Sequence, residues 1–314
     1  MTYNYDDIAL RLAQDPIGAI SDWEQDYQAQ INAVGRFITA NREKSPVVLL
    51  AGPSASSKTS TAGRIRDYLE YTGVHAHLLS MDDYFLDRDS SSYPTLPDGQ
   101  QDLESPECLD TALLDEHFSI LERGEDIYVP TFDFSTQKRA PGPGTYLDAE
   151  RGDVFIFEGI HALNPRFTQR HPHAARVYVS PDATYLRGGE VFCSPVELRL
   201  MRRIVRDHLF RSASAEYSLS LWENVIAGEA KNILPFKDSA NCTVTTALPY
   251  ELGILKRFVA PLLEELQEDV PCRAEVDAIR RMLRNVNKVN PALVPDDSIL
   301  REFIGARPAP AEKG

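Results

Sequence analysis

Short apolar runs and longer amphipathic stretches alternate along most of this chain. Val47–Leu50 is an apolar run bounded by Pro46 and Gly52, which predicts a buried strand. "GDVFIFEGI" and "HAARVYVSPD" predict two more strands of this kind, and "HAHLLSMDDYF" a further one running into an acidic turn. Among them, "STAGRIRDYLEYTG" reads as a helix ending at Gly73, and "LDTALLDEHFSILERGE" as another. "SPVELRLMRRIVRDHLFR" reads as a helix opened by a Ser cap and a Pro. Ahead of the first strand, Trp23, Tyr27, Ile31, Val34 and Ile38 recur at three or four residues and form one apolar stripe. Residues 1–44 are therefore expected to be helical. The chain from Tyr250 onward has the same character and ends Pro-rich. "DIYVPTFDF" is extended, and "APGPGTY" is a turn that closes a hairpin with it. Residues 86–106, rich in Ser, Pro, Asp and Gly, form a loop.

Strands alternating with helices imply an α/β fold, a parallel sheet covered on both faces. Ligands of such sheets bind at the carboxyl ends of the strands. The expected organisation is a helical extension over 1–44, a core domain over 45–268, and a C-terminal helical extension and tail over 269–314.

Composition narrows the partners. The 314 residues carry a net charge of -14, with 43% hydrophobic and 25% charged residues. So acidic a chain is a poor match to a nucleic-acid polymer. No apolar run approaches the ~20 residues of a membrane span. The start, "MTYNYDDIAL", lacks the features of a signal peptide. Cys108, Cys193, Cys242 and Cys272 have no metal-ligand spacing and are expected reduced, in a cytoplasm.

The candidate chemistry follows predicted strands. "GPSASSKTS" places Gly52, Lys58 and Thr59 as in the phosphate-binding pattern G-x-x-x-x-G-K-[ST], with Ser57 where the second glycine belongs. Between a strand and a helix, such a loop turns backbone N–H groups toward an anion, while Lys58 reaches the β- and γ-phosphates and Thr59 ligates Mg²⁺. Ser57 has two consequences to separate. If the glycine relieves a left-handed backbone, serine costs about 1 kcal/mol. If it leaves room for phosphate, the site is damaged. Asp82 and Asp83 end the "LLSMDD" strand, and Glu158 ends an otherwise apolar one. They supply metal ligands and a proton acceptor, or, more blandly, turn caps and surface charge. Arg199, Arg202, Arg203 and Arg206 recur at helical spacing, with Arg211 beyond. That run is either a solvated charged face or a lid neutralising a transferring phosphoryl group.

Taken in order, "GPSASSKTS", "SMDDYF", "DLESPECLD", "VPTFDFSTQKR", "FIFEGI", "RLMRRIVRD" and "GEAKNILPF" resemble the uridine kinase and phosphoribulokinase family, most closely its uridine/cytidine kinases. The resemblance runs from about Val47 to Glu265. "LWENVIAGEAKNILPF" and "VPDDSILREFIG" look like a bacterial branch in which an N-terminal accessory domain often comes first; here only helical residues 1–44 are expected in its place. The resemblance implies a P-loop NTPase-type sheet with a small β-hairpin that binds the acceptor. It implies transfer of the γ-phosphoryl of ATP (or GTP), with Mg²⁺, to the 5′-hydroxyl of uridine or cytidine.

On this chain, Gly52 and Ser54, Ala55, Ser56, Ser57, Lys58, Thr59 and Ser60 would hold the nucleotide. Thr59, Asp82 and Glu158 would hold the metal, and Asp82 would also act as base. Glu104 falls where the family has an aspartate on the ribose hydroxyls. Phe132 and Phe134 match an aromatic pair around the pyrimidine, although two phenylalanines on one strand face also suit a core. Gln137 replaces a histidine of relatives that take uridine and cytidine. Tyr84 and Arg139 are expected at the acceptor too, and Arg206 and Arg211 match lid arginines. Two alternatives stay open: a kinase of another sugar or small metabolite, and a catalytically weak nucleotide-binding relative. A homo-oligomer is also open, through the helices after Tyr250.

Overall fold

Val47–Ala51 (β1) is buried along its whole length because it is the middle strand of a five-stranded sheet. The other strands are Ala76–Ser80 (β2), Val154–Glu158 (β3), Ala175–Ser180 (β4) and Cys242–Thr245 (β5). Their order is β5-β4-β1-β3-β2, and every pairing is parallel. This computed structural model describes residues 1–95, 99 and 101–307.

The flanking helices are Pro16–Asn41 (α1), Lys58–Tyr71 (α2), Thr111–Glu122 (α3), Pro195–Phe210 (α4), Trp222–Asn232 (α5), Glu251–Glu264 (α6) and Arg273–Arg284 (α7). Alternation along β1 splits the core. Val48 and Leu50 join Trp23, Tyr27, Ile31, Val34 and Ile38 of α1, Ile65 and Leu69 of α2, and apolar residues of α4, α6 and α7. Val47, Leu49 and Ala51 face the other way, onto Leu114, Phe118 and Leu121 of α3. The sheet is thus covered on both faces, as its apolar strands require. The helical N-terminal residues share one apolar cluster with the sheet. Among the described residues, no helix is long and apolar enough to cross a membrane.

Three features differ from the sequence reading. The fifth strand, β5, was not foreseen. Nor was the strand pair Thr184–Arg187 and Glu190–Cys193, which turns at Gly188 and Gly189 and takes Thr2–Asn4 alongside. The predicted hairpin exists as two short pairings, Ile127–Val129 with Thr145–Leu147 and Phe132–Asp133 with Lys138–Arg139. Its reversal lies at Ser135–Gln137, not in "APGPGTY". The Asp133 carboxylate accepts from the Ser135 N–H and from the Ser135 and Thr136 hydroxyls. That local capping fixes the turn, with Gln137 at φ +59°.

Candidate active site

Register brings the strand ends together. Leu50 and Ser80 both stand opposite Glu158, and Ala51 opposite Tyr178. Whatever follows β1, β2 and β3 must therefore share one rim. After β1 comes the loop from Gly52 to Ser57, and α2 begins at Lys58. Gly52 has a definite reason to be glycine: a Cβ there would sit 2.0 Å from the Val179 carbonyl oxygen. Ala55 (φ +61°) and Ser57 (φ +64°) are both left-handed. Each costs roughly 1–2 kcal/mol in a residue with a side chain. The first of the two consequences of Ser57 therefore applies: it occupies a left-handed position that favours glycine.

That strain is held from behind. Four successive carbonyls of the loop accept side-chain bonds. Pro53 O accepts from Lys58 Nζ (3.1 Å), Ser54 O from Arg199 Nε (3.0 Å), Ala55 O from Arg202 Nη1 (3.4 Å), and Ser56 O from the Thr246 hydroxyl (2.9 Å). Among the described residues, no acceptor meets the N–H groups of Ser54–Lys58. Among these residues the Ser56 and Ser57 hydroxyls, too, are buried without partners. A row of unengaged donors at a helix N-terminus fits a polyphosphate.

In front of the loop the carboxylates gather. The Thr59 hydroxyl donates to Glu158 Oε1 at 2.9 Å. Asp82 lies in the short turn Met81–Tyr84 that follows β2. Lys58, Thr59, Asp82, Glu158, Arg206 and Arg211 line one cleft of about 460 Å³, together with Ser54–Ser57, Ser60 and Glu104. Burial pushes the carboxyls of Asp82 and Glu158 above the ordinary range, against the pull of Lys58. It pushes the Lys58 amine down, with Glu158 and Asp82 opposing. Burial also raises Glu104, which Arg203 partly offsets. A hydroxyl and two carboxylates form an all-oxygen donor set, the kind that suits Mg²⁺.

The arginine run divides into two groups. Arg199 pairs with Glu229 (2.6 Å), and Arg202 with Glu251 (2.7 Å) with both partners wholly buried. These two hold the loop. Arg203, Arg206 and Arg211 instead surround the buried Asp207 and line the cleft. Arg203 also donates to the Ser54 hydroxyl.

Several expected acceptor residues lie elsewhere. Tyr84 is a correction: it is fully buried, and its hydroxyl bonds His117 Nδ1 at 2.8 Å, so it belongs to the core. The Arg139 guanidinium is used by the Tyr84 and Phe85 carbonyls and Asp110, which fastens the hairpin beside the Asp82 turn. Phe132 and Phe134 meet each other (5.1 Å between centroids) and Phe85, but neither lines the cleft. Gln137 is exposed at the hairpin turn and does not line it either.

The sequence reading missed two contributors entirely. Thr246 follows the unforeseen β5. Glu302 comes from the short helix Arg301–Ile304; it lines the cleft and accepts from the Ser60 hydroxyl at 2.6 Å. The only trace of Glu302 was the segment "SILREFIG", to which no role was given.

A family model described as "Phosphoribulokinase / Uridine kinase family" matches residues 47–249. A uridine kinase of Staphylococcus haemolyticus is 31% identical over 180 residues, covering 57% of this chain and 77% of that protein. One of Macrococcus caseolyticus is 30% identical over 183 residues, covering 58% and 79%. Among solved structures, a D-glycerate 3-kinase from Cryptococcus neoformans is similar with a TM-score of 0.44 and 16% identity, over 68% of this chain and 91% of that one. Glu251 and Glu302 lie beyond the matched span.

Proposed function

Because the chain belongs to the phosphoribulokinase / uridine kinase family, we propose that it transfers the γ-phosphoryl group of ATP, or GTP, to the 5′-hydroxyl of a pyrimidine nucleoside. The observation that carries this reading is the meeting of Lys58, Asp82 and Glu158 in one cleft, beside a loop with its amides free.

In this reading the Ser54–Thr59 amides and Lys58 grip the phosphates. Thr59, Asp82 and Glu158 would hold Mg²⁺. The bound ion would neutralise charge on the phosphate oxygens. Asp82 accepts the proton of the acceptor hydroxyl as its oxygen bonds to the γ-phosphorus; the bond to the bridging oxygen breaks, and the nucleoside diphosphate leaves. Arg206 and Arg211 offset the charge on the phosphoryl group in flight. Glu104 accepts from the vicinal ribose hydroxyls.

A second reading keeps the chemistry and changes the acceptor to another sugar or small hydroxylated metabolite. It is favoured by one observation: Phe132, Phe134 and Gln137 stand outside the cleft walls. The test is a panel of uridine, cytidine, their 2′-deoxy forms, free sugars and small hydroxy acids, each with ATP and Mg²⁺. Diphosphate release and product mass are measured. Nucleoside 5′-monophosphates are expected. Product on another acceptor alone transfers the assignment to the second reading. Nucleotide binding with no product on any acceptor overturns both.

A further inference from the structure

At the end of the sheet remote from the cleft, His75, His77 and Asp153 bring two ring nitrogens and a carboxylate oxygen within 4.8 Å of one another. Strand geometry puts them there. His75 and His77 are two residues apart at the start of the edge strand β2, so they point to one face. Ala76 pairs with Val154 and His77 with Phe155, so Asp153 stands across from His75.

Each side chain is held in place. Glu70 accepts from His75 Nδ1 and from the Ala76 N–H, both at 2.8 Å. A carboxylate can only accept, so Nδ1 carries the proton, and the neutral imidazole then has its lone pair on Nε2. This is the carboxylate–imidazole arrangement that orients a metal-ligating histidine. The His77 ring lies against Phe155, 11° from parallel with centroids 5.1 Å apart. Asp153 is buried and accepts from the Glu150 N–H at 3.1 Å and from His77 Nε2 at 2.9 Å. The two imidazoles meet edge to face at 4.6 Å.

We propose that His75, His77 and Asp153 bind a divalent ion of the zinc class, with Glu70 orienting His75 and water in the fourth position. Two nitrogens and one oxygen suit Zn²⁺, in contrast to the all-oxygen set in the cleft. On binding, His77 gives up the Nε2 proton it shares with Asp153 and takes one at Nδ1, so that a neutral ring and the carboxylate both turn to the ion. The ion ties β2 to β3, the two strands whose far ends lead to Asp82 and Glu158.

The test is Zn²⁺ titration of the full chain, stripped of metal and kept in excess Mg²⁺, by calorimetry and by melting temperature, with Co²⁺ absorption as a reporter of imidazole ligands. One equivalent is expected to bind and raise the melting temperature. His75→Ala, at an exposed position that leaves the fold intact, and His77→Ala should each weaken binding at least about tenfold, and Glu70→Gln by less. Glu158→Gln should leave Zn²⁺ binding unchanged. No binding overturns the proposal, as does binding unaltered in both histidine variants, or binding lost with Glu158→Gln instead.

Discussion

The back and the front of the phosphate loop are built from the same helix, yet they are opposite in character. Behind the loop, Arg199 and Arg202 are buried with a carboxylate each, and their spare donors reach loop carbonyls. In front, Arg203, Arg206 and Arg211 share a single carboxylate, Asp207, and open onto the cleft. Charges behind the loop are neutralised within the protein. Those in front outnumber the one carboxylate they pair with and so keep donors for a ligand. The same side chain thus serves support or recognition according to how many carboxylates the surroundings provide.

This contrast can be broken most forcefully from behind. Arg202→Leu strands Glu251 in a site with no exposure, and should cost about 3–5 kcal/mol in urea unfolding. Replacing both partners, Arg202→Met with Glu251→Leu, should recover most of that stability. Nucleotide binding should remain weaker, because Ala55 O has lost its donor. Full recovery of binding would mean the back of the loop does nothing for the front.

A substitution in front should do the reverse. Asp82→Asn is expected to lower turnover by about 10²–10⁴-fold while the melting temperature holds or rises. Burial raises the Asp82 pKa in the folded state. A carboxyl so shifted contributes fully to stability below its unfolded pKa, and that contribution is lost as pH rises through the folded value. Asparagine mimics the protonated form. Its advantage in melting temperature should therefore be present at neutral pH and shrink on acidification. A loss of stability at neutral pH would place Asp82 among the supports.

The mildest test lies between the two regions. Ser57→Gly relieves one left-handed residue, worth up to about 1 kcal/mol or a few degrees of melting temperature. ATP affinity should stay the same or increase in direct titration. A large loss of affinity would mean that the Ser57 hydroxyl, buried without a partner, is itself a phosphate contact.

Much of this was legible in the sequence. β1 and β3 are unbroken apolar runs whose ends are marked by Gly52 and Glu158, so both the strands and the chemistry at their tips could be read. β5 could not be: in "CTVT" only Val244 is fully buried, and an edge strand needs a core on one side only. The division of the arginines was hidden for another reason. At about 100° per residue, Arg199, Arg202, Arg203 and Arg206 share one face spanning roughly 100°. Spacing groups them, and only Glu229, Glu251 and Asp207 separate them. Tyr84 was read from its neighbours in "DDYF", while its burial depends on His117 in a helix the motif does not contain.

Glu302 reaches the cleft from near the end of the chain, and Phe303 beside it lies beneath the Arg202 guanidinium, 4.9 Å from the ring centroid. One guanidinium thus touches both the phosphate loop, at the Ala55 carbonyl, and the segment that carries Glu302. Support behind the loop and the far wall of the cleft therefore share a single anchor, and loosening either should be felt by the other.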